Sequence, residues 1–309
     1  MTRLAFSCLR AARLGIKLVR HAYWGGRTLA LGHTVRWRRV AGGFEMLIDP
    51  FDFIDRSFCF GTYEAHVLRV IRAVVRLGDV CVDVGAHKGF LTLHLASAVG
   101  LRGKVLAFEP DPRAVALLRA NINRNRFGQV TVYDVALGNQ SGTCELVLSR
   151  QLGWSSRFPN DLAKTVASHT IVVRSRTLDE VLAEQGISPA KDCLSFMKID
   201  AEGSEPLILE GARESLAAFK PVIHLEINRG SLAAGNLSVG SLEDLLRSLD
   251  YELYSVGMGR CWPRLRREFS ARPIASLEAL QGCHDVLGLP RLGLAAERAR
   301  YLIPKQFSS

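Results

Sequence analysis

The sequence lacks any run of 18 or more uncharged apolar residues, so no segment has the length and character of a membrane-spanning helix. Its seven cysteines are odd in number and form no CxxC pair, which argues against a disulfide framework or a zinc site and favours reduced cytosolic thiols. Internal repeats and low-complexity runs are also missing. A chain of 309 residues that is 48% hydrophobic is instead typical of a folded globular protein.

Acidic residues are absent from residues 1–44, although this stretch contains nine of the 40 lysines and arginines. The remaining chain has nearly balanced charge, so its composition does not indicate a basic surface that binds nucleic acid. We predict a basic, helical N-terminal arm over 1–44, with its clearest helical pattern over 3–20, and a second part over 45–309. We expect the arm to pack on the body. The alternatives are peripheral contact of residues 3–20 with the inner face of an anionic membrane, or a mitochondrial transit peptide.

From about residue 60 onward, short β-branched runs alternate with longer amphipathic segments, which predicts an α/β, doubly wound, mostly parallel Rossmann-like sheet. The segment over 138–176 is punctuated by glycine and serine and predicts an inserted β-hairpin, with strands at 143–148 and 170–174. The seven expected sheet strands are 80–84, 104–108, 130–135, 194–199, 222–227, 251–256 and 285–289. The expected helices include 63–76, 89–98, 112–124, 205–218 and one from Ser241 to Leu249, with a short helix capped by Thr177.

The strongest local motif is the run 82–89 (VDVGAHKG), in which a strand leads into a glycine turn and then a helix. Gly85 and Gly89 let the backbone approach a ligand closely, and the helix N-terminus offers free N–H donors. Glu109 follows the next strand, where a carboxylate accepts hydrogen bonds from ribose hydroxyls. Together these residues predict a cofactor that contains a nucleoside.

Two departures from the dinucleotide fingerprint indicate which cofactor is bound. His87 stands within the turn, so the pattern is Gly-x-x-x-Gly, and a bulky turn crowds a pyrophosphate. Asp83 adds a carboxylate that would repel a diphosphate but attract a cation. S-adenosylmethionine, with its sulfonium and ammonium groups, is therefore favoured. An oxidoreductase of the NAD type is the alternative.

Five blocks at 83–89, 107–112, 136–138, 198–205 and 224–226 resemble, in this order, the motifs of the FkbM family of S-adenosylmethionine-dependent methyltransferases. The similarity extends over roughly 58–290, with residues 61–64 (GTYE) as a lead-in and 285–290 as a closing strand. It implies a class I methyltransferase fold, S-adenosylmethionine as the donor, and O-methylation of a hydroxyl on a sugar, glycolipid or polyketide-like molecule. His87 and Lys88 depart from the family's usual Asn and apolar residue.

The resemblance also implies roles for individual residues in cofactor binding. Asp83 would face the amino group, Glu109 the ribose, and Asp134 with Val135 the adenine. For Asp134, a solvated acid at the strand end is the alternative. The full expected cofactor set is Glu64, Asp83, Gly85, Ala86, His87, Gly89, Glu109, Asp134 and Val135.

Candidate catalytic residues follow the fourth and fifth parallel strands, because open α/β sheets place their chemistry at the carboxyl ends of strands. A sugar hydroxyl is a poor nucleophile, so a nearby carboxylate or imidazole must take its proton. The candidates are Asp200, Glu202, Glu226 and His224, although His224 is equally explained as a core histidine. Glu205 is interpreted as a first-turn helix acid, and Lys198 as an ion-pair partner of Asp200.

No ligand spacing requires a metal, so we predict none; a divalent ion bridging Asp200, Glu226 and Asn228 stays an alternative. The Asn/Asp-Pro-Pro-aromatic loop of nucleobase N-methyltransferases is absent after the fourth strand, which disfavours a nucleic-acid substrate. We expect a small-molecule or glycan acceptor and a cytoplasmic location, with the membrane face as the alternative. A catalytically silent cofactor-binding module that docks on a membrane or partner is the non-enzymatic hypothesis.

Overall fold

The computed structural model describes residues 34–261 and 266–303, and the chain divides into two compact units, Met1–Tyr63 and Glu64–Ser309. In the first unit, β1 (Arg36–Arg39) pairs antiparallel with β2 (Glu45–Ile48), and α1 (Phe53–Cys59) follows. Gly42 and Gly43 take φ values of 92° and 85° and close the turn between these strands. The predicted helical arm is therefore wrong at 36–39, where the chain is a paired strand. The helix expected over 3–20 lies outside the described residues.

The second unit is built on a twisted sheet with helices on its faces. Its strands are β3 (Val80–Val84), β4 (Lys104–Phe108), β5 (Val130–Tyr133), β6 (Ala136–Leu137), β7 (Gly142–Ser149), β8 (Ala167–Arg176), β9 (Leu194–Ile199), β10 (Val222–Asn228), β11 (Tyr251–Cys261), β12 (Arg266–Pro273) and β13 (Cys283–Pro290). Within the described residues, eight of them form one sheet in the order β12-β11-β13-β10-β9-β3-β4-β5. The five strands from β10 to β5 are parallel to one another, and β13 is antiparallel to both strands beside it.

This topology confirms the predicted doubly wound α/β fold class, and seven of its strands are those expected from the sequence. The eighth, β12, was not predicted; it extends the sheet beyond β11 as an antiparallel edge. Each residue of β3 and β9 is buried, as expected for central parallel strands covered on both faces. The order of strands reverses between β3 and β9, and this switch point is where such sheets bind ligands.

The helices of the second unit pack on the sheet and at its edges. They are α2 (Ala65–Val74), α3 (Phe90–Val99), α4 (Pro112–Asn125), α5 (Asp161–Thr165), α6 (Leu178–Glu184), α7 (Glu205–Glu210), α8 (Arg213–Phe219), α9 (Arg229–Ala234), α10 (Val239–Ser248) and α11 (Leu294–Ala299), with 3₁₀ turns at Leu277–Ala279 and Arg300–Leu302. Across the described ranges, no helix combines the length and the apolar character needed to cross a bilayer.

Two helix predictions are corrected by the structure. The single helix expected over 205–218 is divided into α7 and α8 at Gly211. A Cβ at Gly211 would lie 2.0 Å from the carbonyl oxygen of Gly138, so the chain here is shaped by a close approach from another segment. The helix expected from Ser241 to Leu249 is α10, which begins about one turn earlier, because Ser238, rather than Ser241, is the N-cap and accepts a hydrogen bond from the Ser241 N–H.

The segment between β5 and α6 forms a separate three-stranded sheet, in the order β6-β8-β7. The strands β7 and β8 pair antiparallel, with Gly142 opposite Ser175 at one end of the ladder. Ala136, Leu146, Leu148 and Val173 form a small apolar cluster of their own. The residues that connect β7 to β8 lie near the carboxyl edge of the main sheet, as described below.

Candidate functional site

The turn after β3 approaches the end of β9 so closely that it requires a glycine. Gly85 has a φ of 71°, and a Cβ there would lie 1.8 Å from the carbonyl oxygen of Asp200. The N–H groups of Gly85 and Ala86 both donate to the carbonyl of Phe108, while the Asp200 N–H donates to the carbonyl of Val84. These bonds join the ends of three adjacent strands. They fix the position of the loop that precedes α3.

Glu109 follows β4 and orders this turn through its carboxylate. Its Oε2 accepts a hydrogen bond of 2.8 Å from the His87 N–H, and its Oε1 accepts one of 3.0 Å from the Asp111 N–H. Burial raises the pKa of Glu109 to about 7, although the two N–H donors favour its charged form. Each carboxylate oxygen can accept a second hydrogen bond, so the group retains capacity for ribose hydroxyls.

Asp83 is fully buried beneath the same turn. Its Oδ2 accepts a hydrogen bond of 2.5 Å from the Thr92 hydroxyl, while Oδ1 has no hydrogen-bond partner within the described residues and lies 3.9 Å from Lys198 Nζ. Burial raises the pKa of Asp83. Because the carboxylate has no exposed surface, its expected contact with the cofactor's amino group stays a prediction. That contact requires the side chain to open toward the ligand.

Lys198, on β9, is the central cation of the site. Its Nζ donates to the carbonyls of Val84 (3.1 Å) and Gly85 (2.7 Å) and lies 3.3 Å from Asp200 Oδ2. Burial opposes its charge, but the carboxylates of Asp200 and Asp83 raise the pKa of Lys198 above its ordinary value. The predicted ion pair with Asp200 is therefore present in the structure.

The other residues expected to bind the cofactor differ in burial, and not all of them belong to the turn after β3. Gly89 opens α3 with a φ of 90°, and a Cβ there would lie 2.5 Å from Leu118 Cδ1. Asp134 follows β5, which ends two residues earlier than predicted because the chain leaves the sheet toward β6; its carboxylate is exposed and pairs with Arg174 at 3.0 Å. Val135 is buried. Glu64 lies 3.4 Å from His66 Nε2, and its charge also acts on Lys198, which donates to the turn after β3.

The turn after β9 carries two of the candidate catalytic carboxylates, and Glu205 holds that turn in place. The Oε1 of Glu205 accepts hydrogen bonds from the N–H groups of Ala201 (2.9 Å) and Gly203 (3.2 Å), and burial raises the pKa of Glu205 to about 7. This carboxylate thus does more than complement the helix dipole as predicted. Glu202 has a φ of 49° within the turn, a conformation that L-residues with a Cβ adopt rarely.

The environment of Glu202 is suited to a titratable base. Burial, together with the negative charges of Asp200 and Glu205, raises the pKa of Glu202 to about 7, while the Asn228 amide and Lys198 act in the opposite direction. The Asn228 Nδ2 donates to its Oε2 at 3.4 Å. A carboxyl group with a pKa near neutrality is partly ionised at working pH and accepts protons efficiently.

Glu226 and His224 lie on the same strand, β10, but have different partners. The Glu226 carboxylate accepts a hydrogen bond of 3.0 Å from the Cys283 thiol, and the negative charge of Asp200 together with burial raises the pKa of Glu226. His224 Nε2 lies 3.3 Å from Asp285 Oδ1, and Asp285 Oδ2 lies 3.1 Å from His66 Nε2. Strand alternation places His224 and Glu226 on the same face of β10, but the contacts of the two side chains do not include each other.

His66 and Asp285 were not predicted as site residues. Burial opposes the charge of Asp285, but the two histidines beside it lower the pKa of the Asp285 carboxyl below its ordinary value. Asp285 is the register partner of Glu226 across β10 and β13. This antiparallel pairing, which is visible only in the folded sheet, brings the Asp285 carboxylate to the site.

The connection between β7 and β8 reaches the loops at the carboxyl edge of the main sheet. Ser155 Oγ donates to Asp111 Oδ2 and Ser156 Oγ donates to the carbonyl of Glu202, both at 2.8 Å. Asn160 Nδ2 donates to Ser231 Oγ at 3.1 Å, after β10. The inserted segment is thereby tied to three of the loops that surround the candidate site.

These residues fit a cationic cofactor that contains a nucleoside. The turn at Gly85 leaves no space for a side chain, Glu109 is available to ribose hydroxyls, and Asp83 has an oxygen without a hydrogen bond in the described structure. The carboxylates of Asp83, Asp200 and Glu202 outnumber the ammonium group of Lys198 beside them. A positively charged ligand is stabilised in such surroundings, whereas a diphosphate is repelled.

Comparison with known families agrees with this site. The model of the family described as "Methyltransferase FkbM domain" matches residues 83–253, which is more than half of the chain. The chain belongs to the FkbM methyltransferase family. The membership predicted from its motifs is confirmed, as are the class I fold and S-adenosylmethionine as cofactor.

Several known proteins are similar to this FkbM-family chain. The 2-O-methyltransferase NoeI of Sinorhizobium fredii is 26% identical over 204 residues, which are 59% of this chain and 79% of that protein. The crystal structure of methyltransferase FkbM from Methylobacillus flagellatus KT is 16% identical with a TM-score of 0.40, over 89% of this chain and 60% of that one. The Bacillus cereus O-methyltransferase in complex with SAH is 15% identical with a TM-score of 0.36, over 72% and 76%.

The FkbM-family chain is therefore an S-adenosylmethionine-dependent methyltransferase. When bound, S-adenosylmethionine supplies an electrophilic methyl group on a positively charged sulfur. The residues that would hold it are the backbone of the turn between Gly85 and Gly89 and the carboxylate of Glu109. Asp83 and Lys198 set the charge beneath this turn.

Replacing Glu109 by glutamine is expected to weaken binding of S-adenosylhomocysteine by about 10- to 100-fold, the loss expected for a hydrogen bond to a charged group. In the variant, an NH₂ group replaces one carboxylate oxygen that faces a backbone N–H. This NH₂ group cannot accept the hydrogen bond that the oxygen accepts. Titration calorimetry measures the affinity, and Glu145→Gln, on the exposed face of β7, is the control. Equal affinity of Glu109→Gln and the unchanged protein would remove Glu109 from the cofactor site.

Proposed function

We propose that the protein transfers the methyl group to a hydroxyl oxygen of a sugar, glycolipid or polyketide-like small molecule. The observation that carries this proposal is the carboxylate of Glu202, with a pKa raised to about 7, directly after β9 at the switch point of the sheet. A hydroxyl loses its proton as it is methylated, so a base beside the transferred group is needed. Similarity to a 2-O-methyltransferase supports the same chemistry.

In this proposal Glu202 accepts the hydroxyl proton, and Asp200 with Lys198 fixes the charge beside it. Ser156 holds the backbone of Glu202 from the inserted segment, so the acceptor side is bounded by the connection between β7 and β8. Alignment of the hydroxyl oxygen with the methyl carbon contributes most of the acceleration in a displacement of this kind. The surrounding loops therefore act mainly by orienting the acceptor.

An acidic site also favours a neutral or cationic acceptor over a polyanion. Asp200, the partly ionised Glu202 and Asp285 lie at the same edge of the sheet, and nucleic-acid phosphates would be repelled there. Asp111, beside the inserted segment, adds a carboxylate whose pKa is lowered by Arg113 and Ser155 despite its burial. These charges support a small uncharged acceptor.

The proposal predicts that labelled methyl groups from S-adenosylmethionine appear in neutral hydroxylated molecules of a cell extract, as ethers stable to mild base. The extract is fractionated into glycans, glycolipids, other small molecules and nucleic acids, and the products are identified by mass spectrometry. A reaction without extract measures acceptor-independent turnover. Label confined to nucleic acid or to amine nitrogen would contradict O-methylation while leaving the methyltransferase assignment intact.

A further inference from the structure

Four side chains converge on one point beside the carboxylate site but outside its proposed chemistry. Glu64 and His66 are at the start of α2, His224 is on β10, and Asp285 is on β13. One potential ligand atom from each lies within 4.8 Å of the corresponding atoms of the other three. We call these four residues the His-carboxylate quartet.

The four side chains of the quartet lie close together, but the hydrogen-bonding capacity of the two imidazoles is not used up by their neighbours. His66 Nε2 lies 3.4 Å from Glu64 Oε2 and 3.1 Å from Asp285 Oδ2. His66 Nε2 and His224 Nε2 are buried and face Asp285 only at ion-pair distance and outside good hydrogen-bond geometry, and the buried His224 Nδ1 has no partner among the described residues. The imidazoles are 9% and 1% exposed, so bulk water does not replace the missing partners. Buried polar atoms left in this way are rare in folded proteins and indicate a ligand.

The spacing of these atoms matches the ligands of a metal ion. Nitrogen and oxygen ligands at about 2.0–2.2 Å from a tetrahedral metal stand about 3.3–3.6 Å apart, because tetrahedral geometry fixes that ratio. Three separations within the quartet, 3.1, 3.3 and 3.4 Å, lie close to this range, the first two measured to the two oxygens of Asp285, and one ligand atom from each residue lies within 4.8 Å of the others. Two carboxylates also balance the charge of a divalent cation.

The backbone at Glu64 supports the same conclusion. Glu64 is the N-cap of α2, yet its side chain makes no capping hydrogen bond, and its φ of 46° places a non-glycine residue in the left-handed region. Such a conformation is disfavoured by about 1–2 kcal/mol and persists where the surroundings require it. Here it aims the carboxylate at His66 instead of at the helix N-terminus.

We propose that the His-carboxylate quartet binds one divalent transition-metal ion of the zinc type. Two imidazoles and two carboxylates favour Zn²⁺ and its neighbours over Mg²⁺ and Ca²⁺, which prefer sets of oxygen ligands only. The ion would join α2 to β10 and β13, and thereby fix the strand that carries Glu226. This site differs from the Asp200–Glu226–Asn228 bridge considered from sequence, and its occupancy does not depend on the methyl acceptor.

The test uses the full-length, tag-free protein after dialysis against a chelator, titrated with Zn²⁺ alone and analysed for bound metal. We expect one equivalent per chain and a melting temperature raised by about 5–10 °C at a hundredfold excess over the dissociation constant. His66→Gln and His224→Gln should each weaken Zn²⁺ binding by at least about tenfold. His169→Gln, an exposed histidine on β8, and Cys283→Ser, the thiol beside Glu226, are the matched controls and should bind as the unchanged protein does.

Binding of Co²⁺ to the unchanged protein provides a measurement that does not depend on the folding of a variant. Visible absorption bands typical of tetrahedral nitrogen and oxygen ligation are expected to appear with Co²⁺ and to disappear when Zn²⁺ is added. The proposal is overturned if no stoichiometric metal is taken up, if His66→Gln and His224→Gln both retain full affinity, or if Cys283→Ser abolishes binding. Each of these results leaves the methyltransferase assignment unaffected.

Discussion

Replacing Glu202 by glutamine is expected to lower kcat for methyl transfer by about 10²- to 10⁴-fold, the contribution typical of a positioned general base. Glutamine keeps the size of the side chain and its contact with Asn228 but cannot take a proton. Affinity for S-adenosylhomocysteine should change little, because Glu109 and the Gly85 turn remain. Single-turnover methyl transfer and titration calorimetry measure the two quantities separately.

The pH dependence tests the same assignment. Because burial and the charges of Asp200 and Glu205 raise the pKa of Glu202 to about 7, the ionised base is present above that pH and is lost as the pH falls through it. The value of kcat/KM should therefore rise with pH through about 7. Glu109 and Glu205 also have pKa values raised to about 7, so the profile alone does not identify the base.

The acid limb of the profile should disappear in Glu202→Gln if Glu202 is the base. The control is Glu214→Gln, an exposed acid on α8, which should reproduce both the rate and the profile of the unchanged protein. Full activity in Glu202→Gln, or an unchanged acid limb at reduced rate, would transfer the role to Asp200 or Glu226. The O-methylation proposal and the identity of its base are thus tested separately.

Gly85→Ala is expected to destabilise the protein and to abolish detectable binding of S-adenosylhomocysteine. The left-handed backbone at φ 71° costs alanine about 1–2 kcal/mol, and overpacking adds about 1–3 kcal/mol, because the new Cβ would lie 1.8 Å from the Asp200 carbonyl oxygen. Relief of this clash must separate the turn after β3 from the end of β9. Urea unfolding and titration calorimetry measure the two effects.

Gly78→Ala is the matched control for this prediction. Gly78 has a φ of 89°, and a Cβ there would meet no atom within 4 Å, so only the backbone cost applies. The difference in the free energy of unfolding between the two variants isolates the steric contact with Asp200. Equal destabilisation of both, with cofactor binding retained in Gly85→Ala, would show that the close approach is not needed.

The sequence predicted the centre of the sheet better than its periphery. The bounds of β3, β4 and β9 were predicted to the residue. Each strand is a short, mostly apolar run that is covered on both faces, and polar or glycine residues flank it in the sequence. The division between α7 and α8 was missed, since its cause is the approach of Gly138, some 70 residues away in sequence, to Gly211. Local periodicity contains no information about such a contact.

The same difference between local and long-range signals applies to the residues of the site. Gly85, Glu109 and Glu202 were predicted from a glycine turn and from the ends of strands, which are local signals combined with one topological rule. His66 and Asp285 were missed as partners of His224, because α2, β10 and β13 are distant in sequence and come together only in the folded sheet. Their spacing in the chain resembles no metal-binding pattern, which is why no metal was expected.

The small sheet formed by β6, β7 and β8 has an apolar cluster separate from the large one around the main sheet. Substitutions in 150–160 are therefore expected to affect the large core less than substitutions in the central strands, provided that Ser155, Ser156 and Asn160 keep their contacts. Selection for turnover of new acceptors is best directed there.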